Sequence, residues 1–213
     1  MQTIAIQRDT RFSPHSVEKD YDILAAVAQP LNAKIIAENN LKAHHLAEAN
    51  IILNMGRLPH TLQMIEKYAA QKCVVNPTNG IRNCQRSLIT KLMRNANIPI
   101  PPQEGNEGYW LKRGDEAAQS ENDIIYCANK KQLQQAKTAF SKRGITNTVV
   151  QAHVEGDLVK FYGVNNTHFF RYYYPTDDGI TKFADEQHNG TAHHFPFQWK
   201  ALETTANHIA TLA

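Results

Sequence analysis

Short apolar runs alternate with amphipathic segments along the first third of the chain. Thr3–Gln7 reads as a strand, and Ser13-Pro14 with Ser16 opens a helix that carries Tyr21, Leu24 and Val27 near one face. Ala33–Ala37 and Ile51–Asn54 are apolar runs of strand length, and Leu62, Ile65 and Ala69 recur at helical spacing between Leu58 and Lys72. Cys73–Val75 is a further short strand, closed by Asn76-Pro77. Strands alternating with helices predict a parallel sheet in a small α/β domain. Ligands collect beyond the strand ends of such sheets, where Arg8, Asn54, Arg57 and Asn76 fall.

The pattern then changes. A helix from about Asn83 to Asn95 has Leu88, Leu92 and Met93 as its apolar stripe, and it stops before Asn97-Ile98-Pro99-Ile100-Pro101-Pro102. That run is an extended connector, because a residue preceding proline is steered out of the helical region. Tyr109–Lys112 reads as a strand, 113–122 as a polar loop and Asp123–Cys127 as the next strand. Asn129 with Gln132 makes the cap of a helix bearing Leu133, Ala136 and Phe140, closed by Gly144. Thr148–Val154 returns as a strand. The second region is α+β, which gives a boundary near Arg86: an α/β domain over 1–85, then 86–213 with a smaller subdomain at about 103–150.

Residues 149–175, VVQAHVEGDLVKFYGVNNTHFFRYYYP, break at Glu155-Gly156-Asp157 and resume as a hairpin. Asn tolerates positive φ, so Asn165-Asn166 is expected to form a two-residue turn that sets Lys160 opposite Arg171. Directly opposed residues lie roughly 5 Å apart on one face, where like charges repel. An anion between the two cations accounts for the pairing; two side chains splaying into solvent at a sheet edge is the other reading.

Composition narrows the classes. The 213 residues, 42% hydrophobic with 20% charged, describe an ordinary globular chain able to bury a core. Net charge +3 without a dense Lys/Arg run argues against a nucleic-acid partner. The three cysteines have no paired spacing and read as free thiols, so a cytoplasmic location is the default. No run is long enough for a signal peptide or a membrane span. The pairs His44-His45 and His193-His194 point their rings to different sides, a poor arrangement for one metal ion.

Two places carry candidate chemistry. Lys112 ends an apolar strand beside a polar loop, an arrangement that suits a polyphosphate; taken alone it reads more readily as a surface lysine at a strand end, since the loop lacks the repeated glycines of a phosphate cradle. Gln151 to Asp157, where a strand stops and bends, offers backbone groups to the edge of an adenine, with Glu155 or Asp157 near ribose hydroxyls. No Walker or Rossmann glycine motif occurs.

The order of these elements resembles the ATP-grasp superfamily. SLITKLMRNANIPIPPQ is similar to the segment where a helix ends in a GIPxP-like turn, with Asn97 at the glycine; YWLKRGD resembles the strand bearing the phosphate lysine; VVQAHVEGDLVKFYGV resembles the hinge and following strand. The resemblance covers about residues 80–175, and the preceding α/β unit looks like the domain that usually comes before the grasp. It implies ATP and Mg²⁺ as cofactors and a small-molecule substrate. Arg86 and Lys112 would contact the nucleotide, Gln151, Ala152 and Val154 would form the adenine hinge, and Glu155 or Asp157 would approach the ribose. Lys160 and Arg171 would be the catalytic cations. The implied reaction is carboxylate–amine or carboxylate–thiol ligation through an acyl phosphate. The alternatives are a small-molecule kinase, which the Leu158-Val159-Lys160-Phe161 run resembles at that point, and a nucleotide-binding module without turnover. The acidic metal motif of the superfamily has no match after Ala184, its ligands are unassigned, and 200–213 reads as the helix that precedes it.

Overall fold

In the computed structural model the described residues are 1–116, 118, 120–164, 167–177 and 188–213. They divide into two units, Met1–Arg82 and Asn83–Ala213.

The first unit is built on a parallel sheet of four strands in the order β2-β1-β3-β4, with β1 at Thr3–Gln7, β2 at Lys34–Ala37, β3 at Ile51–Asn54 and β4 at Cys73–Val75. Helices α1 (Val17–Ala28), α2 (Ala43–Glu48) and α3 (Pro59–Tyr68) provide the crossovers. Both faces of β1 are covered, so alternate residues enter different cores. Ile4 and Ile6 pack with Ile36, Leu46, Ile52 and Ile65, while Ala5 packs with Leu24, Ala28 and Leu53. The stripe expected on α1 is corrected: Asp20, Leu24 and Ala28 are buried, whereas Tyr21 and Val27 are about half exposed. Asp20 can be buried because Arg8 and Ser13 hydrogen-bond its carboxylate. Burial pushes that carboxyl up, and the hydrogen bonds from Arg8 and Ser13 outweigh it and hold the group below the usual range.

The carboxyl ends of these strands are tied to one another. Glu38, 1% exposed, accepts from the Asp9 amide through one oxygen and from the Arg57 and Leu58 amides, at 2.8 and 2.9 Å, through the other. Asn54 and Asn76 exchange side-chain-to-carbonyl hydrogen bonds of 3.1 Å. Three of the polar residues expected at ligand-collecting positions, Arg8, Asn54 and Asn76, thus hold the loops together.

The helix expected from about Asn83 to Asn95 is α5 (Arg86–Asn95), and a separate short helix, α4 (Thr78–Asn83), precedes it across Cys84-Gln85. Gln85 takes an extended N-cap conformation, and the amide and hydroxyl of Ser87 both donate to the Gly114 carbonyl at 3.0 Å, which fixes where α5 starts. At its other end Asn97 stands at φ +55 while the Ile98 amide reaches back to the Met93 carbonyl at 2.9 Å. That is a left-handed C-terminal cap, a conformation asparagine tolerates better than other non-glycine residues.

The rest of the second unit holds a three-stranded antiparallel sheet in the order β6-β5-β7: β5 at Tyr109–Arg113, β6 at Ile124–Cys127 and β7 at Thr148–Ala152. Helix α6 (Lys130–Lys142) covers one face through Leu133, Ala136 and Phe140, packed on Tyr109, Leu111 and Cys127. Its N-cap is Asn129, whose side chain accepts from the Gln132 amide at 3.0 Å. The Gly144 amide donates to Ser141 and that of Ile145 to Phe140, closing the helix as expected. Then follow β8 (Lys160–Gly163), β9 (Phe170–Tyr173) and α7 (Trp199–Leu212), and α5 packs against α7. No helix among the described residues is long and apolar enough to cross a membrane.

Candidate functional site

The pleat of β5 separates structure from chemistry. Tyr109 and Leu111 point into the α6 core, so Trp110 and Lys112 project from the opposite face. Register adds neighbours on that face: Tyr126 of β6 and Gln151 of β7 flank Trp110, while Ile124 and Val149 flank Lys112. His153, two residues beyond Gln151, keeps the same parity; its Nδ1 accepts from Trp110 Nε1 at 3.1 Å. Lys112 is half-buried with Nζ 5.9 Å from the centroid of the Trp110 ring.

Tyr126 is held in place from below. Its hydroxyl donates to the Glu107 carbonyl at 2.7 Å, and Gly108 sits under it at φ +93. A β-carbon on Gly108 would meet the Tyr126 hydroxyl and stand 2.7 Å from its Cζ and 2.9 Å from the Cys127 carbonyl oxygen, so no side chain fits there.

β7 delivers the chain to the bend. The Ala152 amide donates to the Pro102 carbonyl and the His153 amide to the Gly108 carbonyl at 2.9 Å, which ends the ladder. Val154 and Glu155 are exposed, and Gly156 turns at φ +139. Asp157 is engaged from within: one carboxylate oxygen accepts from the His193 amide at 2.7 Å and the other from the Phe195 amide at 2.9 Å. Those backbone hydrogen bonds, His193 first, hold its carboxyl below the usual range. Arg86 donates from Nη1 to the Arg113 carbonyl at 3.3 Å. Arg113 in turn pairs with Asp115 at 2.7 Å, and buried Asp123 accepts from Arg143 at 2.9 Å, so the positive side chains at this end of β5 are set by carboxylates.

The hairpin register is corrected. Lys160 stands opposite Tyr173, and Arg171 opposite Tyr162. The closing pair is Val164 with Phe169, so the connection between them spans 165–168; Thr167 stabilises it by donating its hydroxyl to the Val164 carbonyl at 2.7 Å and accepting from the Phe169 amide at 3.1 Å. The Asn165-Asn166 turn itself lies outside the described residues. Strand parity still leaves Lys160, Tyr162, Arg171 and Tyr173 on one face, with the two tyrosine rings stacked at 5.7 Å between the diagonal cations. Facing repulsion is therefore absent, and the argument for an anion lodged directly between opposed cations falls. The other face of the hairpin is aromatic, with Phe161 stacked on Phe170 at 5.4 Å.

Four residues of this region escaped the sequence argument: Trp110, Tyr126, His153 and His188. The signal for Trp110 was present, since it lies two positions before Lys112 on a strand. For metal ions the described residues offer no group of three or more His, Cys, Asp or Glu side chains that could converge on one ion. An open cavity of about 450 Å³ lies instead between α6 and the strand edges, lined by Gln103, Glu104, Lys130, Lys137 and Thr148. It lies on the α6 side of the sheet, the face opposite Trp110 and Lys112, and Tyr109 is its one aromatic lining residue, so the β5 face with Trp110, Tyr126 and Lys112 is the stronger candidate site.

No family model matches the sequence, and no curated protein matches it. Solved structures do match. D-alanyl-alanine synthetase A from Vibrio cholerae superposes with a TM-score of 0.61 at 12% identity, covering 98% of this chain and 80% of that one. D-alanine–D-alanine ligase from Bacillus anthracis, complexed with ATP, gives 0.55 at 12% identity, covering 100% of this chain and 76% of that one. A D-cycloserine synthetase gives 0.50 at 10% identity over 75% of this chain, which spans 64% of that protein. At such identities the likeness speaks to architecture alone. The parallel sheet of the first unit, the antiparallel sheet bearing Lys112 and the hairpin that follows it together have the fold of the ATP-grasp ligases.

Proposed function

We propose that this chain binds ATP on the Trp110–Lys112 face and uses it to activate a small-molecule carboxylate for attack by an amine or thiol. The observation that carries the reading is the joint placement of an aromatic wall and a lysine on one face of a three-stranded sheet, beside the point where β7 leaves the ladder. Residues two apart on a strand are separated by about 6.7 Å, the scale on which a base and the start of its phosphate chain are separated. Lys112 then holds phosphate oxygens by charge-assisted hydrogen bonds. Gln151, the Ala152 carbonyl and the Val154 amide form the base hinge; the Ala152 amide is committed to Pro102. Glu155 is assigned to the ribose in preference to Asp157, whose two oxygens already serve the backbone. Arg86 places a further positive charge near the β5 end, and Lys160 and Arg171 present a cationic face to the transferred phosphoryl group and the substrate.

In the reaction a carboxylate oxygen attacks the γ-phosphorus, the bond to the β-phosphate oxygen breaks, and ADP leaves. The amine or thiol then attacks the acyl carbon, phosphate departs, and the nucleophile gives up a proton. The chain contributes positioning and neutralisation of the charge on the phosphoryl oxygens, the main requirements of phosphoryl transfer. Mg²⁺ enters with ATP; the described residues assemble no group of three ligands for it, and no step is assigned to it. The three free thiols, Cys73, Cys84 and Cys127, accord with a reducing, cytoplasmic setting.

The test is incubation with ATP, Mg²⁺, hydroxylamine and a panel of amino acids and other carboxylates. Substrate-dependent hydroxamate together with ADP supports an acyl phosphate. ADP formed only with polyols, with a stable phosphate ester as product, makes the chain a kinase. Nucleotide binding without ADP under any condition makes it a binding module.

A further inference from the structure

The base end of the candidate site is filled by the chain's own side chain. His188 lies against Tyr126 with ring centroids 3.7 Å apart and 30° between the planes. The ring of Trp110 meets it edge-on at 5.5 Å and 85°, and that of His153 at 4.6 Å and 88°. One wall therefore stacks and two walls present edges, a slot shaped for a flat heteroaromatic ring. The slot is built rather than incidental: Trp110 is only 5% exposed, its indole nitrogen is hydrogen-bonded to His153, and Gly108 keeps Tyr126 in position. Neighbouring Asn189 donates to the Gly156 carbonyl at 3.0 Å, which fastens the residue after His188 to the hinge bend.

Resting on the nucleotide reading above, we infer that the His188 imidazole is an internal occupant of the base slot, which an incoming nucleotide base must displace. A base entering beside the Ala152–Val154 backbone, with its phosphates running toward Lys112, claims the surface of Tyr126 that the imidazole covers. Binding and release of the 188–189 contact are thereby coupled, and the affinity of the site is set by a competition within the chain. Free adenosine, which carries no phosphates, competes for the same slot.

Calorimetric titration of the full chain with ATP and with adenosine tests this, using His188→Ala, His188→Phe and Lys112→Ala beside the parent. His188→Ala is expected to bind both ligands about 2- to 10-fold tighter, the range of one aromatic contact. His188→Phe keeps a ring on Tyr126 and is expected to bind no tighter than the parent, which separates competition from a general loosening of the fold. Lys112→Ala is expected to lose ATP affinity and keep adenosine affinity. Unchanged or weaker ligand binding by His188→Ala, with the Lys112→Ala effect intact, overturns the competition and leaves the nucleotide reading standing. Absence of ATP and adenosine binding in parent and His188→Ala alike overturns both.

Discussion

Gly108→Ala probes the junction between fold and site. Position 108 stands at φ +93, outside the regions an L-residue adopts easily, and the left-handed side of the map costs a β-carbon about 1–2 kcal/mol. The new methyl would also press on the Tyr126 ring, 2.7 Å from Cζ, and on the Cys127 carbonyl oxygen at 2.9 Å. The ring is the far end of a side chain and can shift, whereas the carbonyl belongs to β6 and cannot. Overpacking of this kind costs about 1–3 kcal/mol, so the total is about 2–5 kcal/mol. Urea unfolding of parent, Gly108→Ala, Tyr126→Ala and the double variant measures it. Removing the tyrosine relieves part of the clash, so the two changes should couple by about 0.5–3 kcal/mol in the favourable direction. A cost below about 1 kcal/mol for Gly108→Ala, or strictly additive effects with Tyr126→Ala, refutes the claim that Gly108 exists to seat that ring.

Three further outcomes follow from other groups. Glu38→Gln turns one of three amide-to-carboxylate hydrogen bonds into a donor facing a donor and weakens the others, so it should cost about 3–5 kcal/mol in urea unfolding; a loss under about 1 kcal/mol shows that the buried carboxylate is dispensable. Lys112→Ala should weaken ATP binding by about 1.5–3 kcal/mol by calorimetry, and equal affinity in variant and parent removes the phosphate assignment. Burial, with His153 close by, holds the His188 imidazole below the ordinary histidine range. The unfolded chain therefore binds that proton first; the contribution to stability is complete above about pH 6.5 and is lost as pH falls toward the folded value. His188→Ala should flatten this part of the stability profile, and a profile identical to the parent's contradicts the packing of this imidazole against Tyr126 and His153.

The periodicity of single elements was legible in the sequence, and the distances between them were not. Strands β1, β3 and β4 were readable to the residue because each is an apolar run ended by a polar or turn-forming residue such as Asn54 or Asn76. The cap on α6 was readable because it is local chemistry, settled within five residues. The α1 stripe was misplaced because an acid, Asp20, occupies the inward position and only its long-range partner Arg8 makes that tolerable. The start of α5 at Arg86, a few residues later than its periodicity suggests, depends on Gly114, nearly thirty residues away, and left no local mark. The hairpin register failed for a related reason: an Asn-Asn pair signals a turn, but the hydroxyl of Thr167 selects a longer connection. In the candidate site, Lys112 stood out by charge and position, whereas the slot around it joins four rings from β5, β6 and two later segments.

The most direct measurement is a structure of the chain with a non-hydrolysable ATP analogue and Mg²⁺. The account predicts the base on the Trp110 and Tyr126 face, hydrogen-bonded to the backbone of 152–154, with phosphate oxygens within hydrogen-bond reach of Lys112 Nζ and His188 displaced from Tyr126. An analogue seated instead in the α6 cavity lined by Lys130 and Lys137, or on the first unit, with the Trp110 face unchanged, would contradict it.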